Sequence, residues 1–166
     1  MDWVLGGVPL HTLLVHFTVV IVPVAALAVM LSALWPAARR RLGVVTPILA
    51  ALALIAVPLT VNAGKWLYER VEQTPDVQEH QEIGTSLLPW AIALFVVAAW
   101  QWGWFRIDRA SASTGTLRSR RGVRTGVTVL LILAALISAV GSVVTVVRIG
   151  DSGAQAVWTG NFIHGP

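Results

Sequence analysis

Four long apolar runs dominate the chain, at about Leu10–Trp35, Val44–Ala63, Gly84–Phe105 and Thr125–Val147. A helix needs about 20 predominantly apolar residues to cross about 30 Å of hydrocarbon. Each run reaches that length, and none carries Asp, Glu, Lys or Arg in its interior. The runs are continuous rather than alternating, which argues against a membrane barrel. Helices satisfy their own backbone groups, as lipid demands. The expected fold is therefore all-α: one domain, residues 1–166, forming a four-helix transmembrane bundle.

Composition closes the other routes. Apolar residues make up 56% of the chain and charged residues 12%, against about 25% charged in soluble domains. A disordered chain needs the opposite balance. A soluble domain of this size has too little interior to hide so much apolar surface. With no cysteine, a thiolate zinc site, a cysteine-ligated iron–sulfur cluster and covalently attached haem c are excluded.

The net charge of +4 at first suggests nucleic acid, but the placement of the charges does not. Seven of the 12 basic residues fall in Arg39–Arg41 and Arg118–Arg124, both beside apolar runs. Such clusters set topology and touch anionic lipid. No base-reading module accompanies them, so no nucleic-acid partner is expected. The first loop holds three arginines and no acid. The third, Arg106–Arg124, holds six against Asp108 alone, and its Ser/Thr/Gly-rich stretch reads as a solvated linker. The second carries Glu69, Glu72, Asp76, Glu79 and Glu82, and has room for a short helix. Lys/Arg-rich loops stay in the cytoplasm. This places both termini and the second loop outside, in a multi-pass protein of the cell (inner, cytoplasmic) membrane. Met1-Asp2-Trp3 is no basic leader, so the first run is expected to be retained as a span.

Trp3, Trp66, Trp90 and Trp158 fall at the expected outer ends, and Trp35, Trp100, Trp102 and Trp104 at the inner ends, as interfacial belts would have them. In the fourth run Ala134, Ser138, Gly141, Ser142 and Thr145 form a stripe of small residues, the kind that lets helices approach closely in lipid. Pro23 and Pro58 lie inside spans, where each removes one backbone donor. Ile48–Leu52 recurs as Ile132–Leu136, and the same spacing relates His80 to His164, a weak sign of an internal repeat.

Chemistry has few carriers. No phosphate loop, nucleophile–base signature or His-Glu-x-x-His is present, so the chain is not expected to be an enzyme on its own. What remains is four histidines, His11, His16, His80 and His164, all on the expected outer side. A histidine inside a span is costly and faces the bundle or a cavity. His16 is therefore the first candidate ligand, with His80 as its partner and His11 as the alternative. His11 and His16 lie about 140° apart around a helix, too far to share one small centre. Thr85 and Asn62 are candidates to orient the rings. Outer-side imidazoles can hold haem b between two helices, or bind a copper or iron ion with Glu79 or Glu82 as oxygen ligands. They can also respond to protons.

Gly7-Val-Pro-Leu-His11-Thr-Leu-Leu-Val-His16-Phe17 resembles the opening motif of a family of small bacterial four-helix membrane proteins of unknown function, with Thr12 and Thr18 where that family has prolines. Leu59–Leu67, His80-Gln-Glu-Ile-Gly84 and Gly150–Val157 are similar to its later segments. Some relatives in that family are joined to Rieske-type or cytochrome-like domains, so the resemblance implies membrane redox chemistry. Two functions are expected on these grounds. One is a haem- or metal-binding electron-transfer subunit using the outer histidines. The other is a non-catalytic subunit that packs in or assembles a larger membrane complex. The partners would be the lipid bilayer and other membrane or redox subunits.

Overall fold

The computed structural model describes residues 3–113 and 121–159, without the side chains of 109–113 and 121. His164 lies outside the described residues. Val4–Leu5 (β1) and Val8–Pro9 (β2) form a minimal antiparallel hairpin. Its two-residue turn is Gly6-Gly7, with φ of +58° and +82°. Both values lie in the left-handed region that a turn matched to the strand twist requires and that glycine adopts without a steric cost.

Among the described residues six helices follow: α1 Leu10–Leu34, α2 Pro36–Leu42, α3 Val45–Tyr68, α4 Pro75–Thr85, α5 Leu87–Ser113 and α6 Arg121–Trp158. Of these, α1, α3, α5 together with the preceding α4, and α6 are long and apolar enough to span a bilayer. The protein is an all-α, four-helix transmembrane bundle. The helices pack in the cyclic order α1, α3, α5, α6, each against the next and α6 against α1. The short α4 lies mainly against α6.

Small residues set the packing. Ala25, Ala26 and Ala33 of α1, Ala50, Ala53 and Ala56 of α3, Ala91 and Ala98 of α5, and Ala135 and Ala139 of α6 are all buried. In lipid, helix association relies on close backbone approach rather than on apolar transfer, and alanine permits it. The expected α6 stripe faces inward: Ser138, Ser142 and Thr145 are buried, and Trp90 packs over Gly141. The serine and threonine hydroxyls of this stripe bond back to their own helix at Ala134, Ala139 and Gly141. Two hydroxyl pairs within the bundle do link helices: Thr18–Thr60 (2.7 Å) and Ser32–Thr46 (2.9 Å), both joining α1 to α3. Larger apolar side chains such as Leu27, Ile55, Ile137 and Val147 point outward, as a lipid-facing surface requires.

Several expectations change in detail. The second loop does carry a helix, α4, started by Pro75 and capped by the Thr74 hydroxyl, which accepts from the Val77 N–H. Gly84 and Thr85 belong to it, so helix α5 itself begins at Leu87. Of the stretch read as a loop over Arg106–Arg124, the described residues are helical, since α5 runs to Ser113 and α6 starts at Arg121, while 114–120 lie outside the described residues. An ion pair between Arg124 and Asp108 (2.8 Å) joins the two helices there. Arg39–Arg41 lie in α2. Arg39 folds back to donate to the carbonyls of Ser32 and Ala33 near the end of α1, and stacks on Phe105. Trp90, expected in an interfacial belt, is half-buried within the bundle. At 38 residues, α6 is about 57 Å long at 1.5 Å per residue. It does not stop at Val147, and its extra turns reach α4.

Candidate functional site

The ends of α3 and α6, the start of α1 and all of α4 meet at one end of the bundle. His11 sits in the first turn of α1 and faces the last turns of α3. Its Nδ1 lies 3.0 Å from the carbonyl oxygen of Thr60. A carbonyl only accepts, so Nδ1 carries the hydrogen and donates. The ring rests on Gly64: a Cβ there would stand 2.9 Å from Cε1 and 3.0 Å from Nδ1. Any side chain at 64 would push the imidazole off its seat. Thr60 is held in turn. Its hydroxyl donates to Ala56 and is left to accept from Thr18.

His80 repeats this arrangement on the other half of the chain. It projects from α4 onto α6, with Nδ1 3.1 Å from the Ser152 hydroxyl. Ser152 donates its own hydrogen to the carbonyl of Ile149 at 3.1 Å, so the ring nitrogen must be the donor to Ser152. The ring rests on Gly153, where a Cβ would lie 3.0 Å from Cε1. Each histidine thus sits on a helical glycine and is tied, directly or through one hydroxyl, to the carbonyl four residues before that glycine. In the neutral ring this leaves Nε2 as a free lone pair on both.

The two rings meet. Their centres are 6.3 Å apart and their planes cross at 76°. Both line a cavity of about 870 Å³ that opens between the helix ends. Its deeper wall is apolar, with Val15, Val57, Val61, Val146 and Ile149, while Lys65, Glu72, Asp76 and Thr159 lie among its polar residues. This lies within the size range of sites that take small molecules or cofactors, about 300–1,000 Å³.

His16 is placed differently from the expectation. It is exposed and lines the same cavity, but its Nδ1 is bonded to the carbonyl of Thr12 in its own helix (2.6 Å). The structure brings His80 together with His11 and not with His16. The reason is the rotation of α1: its close neighbours are α3 and α6, and His11 is on the face turned toward α3. Thr85 and Asn62 do not orient the rings. The Thr85 hydroxyl bonds Glu82 and Asn62 is exposed, while Thr60 and Ser152 take that part. Glu79 and Glu82 are exposed, and among the described residues no three His, Cys, Asp or Glu side chains cluster as a metal site. The equivalence of His80 with His164 falls outside the described residues. The equivalence that appears pairs His11 on Gly64 with His80 on Gly153. The local sign of it was a glycine inside each helical segment, four residues after Thr60 and after Ile149.

No family model, no curated protein and no solved structure matches the chain.

Proposed function

We propose that the chain is a small integral membrane protein whose outer-side histidines hold a haem or a metal ion, and that it serves as an electron-transfer subunit. The observation that carries this reading is the matched anchoring of His11 and His80. Both rings spend Nδ1–H on a protein acceptor and keep Nε2 free. That is the arrangement by which proteins orient a ligating imidazole and raise its basicity. Two free lone pairs at one cavity select a partner that accepts electron pairs, which is a metal centre, and disfavour an anion. The apolar lower wall supports a redox role, because low polarity around a centre tunes its potential.

The test is direct. The full chain, purified in mild detergent, should show a visible absorption band or a stoichiometric bound metal. His11→Ala and His80→Ala should each diminish it, with the helical circular dichroism retained. Protein that is colourless and metal-free when prepared from cells supplied with iron, copper and haem precursor overturns the reading. The non-catalytic packing subunit would then take its place.

A further inference from the structure

We infer that the group held is a single haem b gripped between His11 and His80, one imidazole on each face of the macrocycle. The inference rests on the proposed function and narrows it by three observations.

The first is separation. A metal–imidazole bond of about 2.0–2.1 Å, plus about 1.15 Å from nitrogen to ring centre, puts two imidazoles on opposite sides of one metal with centres about 6.4 Å apart. At a tetrahedral angle the same bonds give about 5.2 Å. The observed 6.3 Å matches the opposed arrangement. The second is ligand number. Zinc and most copper or iron sites ask for three or four protein ligands. Here two imidazole rings meet, and among the described residues no group of three His, Cys, Asp or Glu side chains clusters as a metal site. Haem iron already has four equatorial nitrogens and asks the protein for one or two axial ligands. The third is room. A two-coordinate ion, such as linear copper(I), needs no space beyond the bond axis. The rings instead border about 870 Å³ with an apolar wall, suited to a flat hydrophobic macrocycle.

The pairing of the two half-sites adds a positioning role for Gly64 and Gly153, which seat the two rings. Neither touches the iron. Each acts by setting where its imidazole stands.

The experiment is a titration of the purified full chain with ferric protoporphyrin IX, read by absorption and electron paramagnetic resonance. A 1:1 low-spin complex is expected, with the strongly anisotropic signal of crossed axial ring planes. His11→Gly and His80→Gly should each convert it to high-spin haem, and added free imidazole should restore the low-spin form. That rescue separates loss of a ligand from loss of the fold. Gly64→Ala should weaken porphyrin binding by about 10-fold or more, as displaced ligand supports do. A high-spin complex in the unaltered protein, or one insensitive to His11 and His80, overturns the two-faced grip while leaving haem binding standing. Failure to bind porphyrin alongside 1:1 binding of copper(I) overturns the haem inference and keeps the metal reading. No binding of either removes both.

Discussion

Gly141→Ala tests the packing of the bundle without reference to any ligand. Gly141 lies under the Trp90 ring, and a Cβ at 141 would fall against Cζ3, Cε3 and Cη2 of the indole. Carbon atoms in ordinary contact stand about 3.5–4.0 Å apart, so the ring must move by more than an ångström. Overpacking of this kind costs about 1–3 kcal/mol. Trp90 would also lose part of its contact with α6, and the surrounding lipid offers no hydrophobic penalty that would push it back. Alanine in a helix gains about 0.8–1.0 kcal/mol over glycine, which opposes the steric cost without cancelling it. The expected net effect is destabilisation by up to about 2 kcal/mol, and by more for Gly141→Leu. The assay is unfolding in mixed detergent–SDS micelles followed by circular dichroism. A second background decides the mechanism. With Trp90→Ala in place the clash is gone, so Gly141→Ala should become stabilising by about 1 kcal/mol, the helix-propensity gain alone. If Gly141→Ala stabilises the protein that retains Trp90, the reasoning about close approach of α5 and α6 fails.

Three further outcomes are expected. A reporter active only outside the cytoplasm should be active when fused after Pro166 and silent when inserted at Thr114, as the Lys/Arg counts require; the reverse would turn the histidine end toward the cytoplasm. Arg39→Ala removes two charge-assisted bonds to the carbonyls of Ser32 and Ala33 and a stack on Phe105. Hydrogen bonds from charged groups contribute about 1.5–3 kcal/mol, so a loss of that order is expected in the same unfolding assay, and a change under about 0.5 kcal/mol would mean that Arg39 does not tie α2 to α1. Thr18→Val removes the Thr18–Thr60 bond and should cost about 0.6 kcal/mol, the average for such bonds between membrane helices; a loss well above about 1.7 kcal/mol would show that this bond also holds the seat of His11.

The number of spans, their approximate positions and the placement of three histidines near one end were legible in the chain alone. These follow from properties local to a segment: the length of an apolar run, the charge of a loop and the distance of a residue from a span end. The inward stripe of α6 was legible for the same reason, because small residues at three- and four-residue steps share one face whatever packs against them. The limits of α4, α5 and α6 were not. Hydropathy marks where lipid ends and not where helix ends, and α6 runs on past Val147 to Trp158. The pairing of the histidines was not legible either. His16 was the better candidate by depth in its span, yet His11 meets His80, because the rotation of α1 against α3 decides which face looks inward. That rotation is settled by alanine packing among α1, α3 and α6 and by the Thr18–Thr60 bond, contacts between residues far apart in the chain. Gly64 and Gly153 look in sequence like weak points in two helices. Only with α1 and α4 laid against α3 and α6 do they become the seats of two imidazoles, since the absence of a Cβ matters only where another group fills the space.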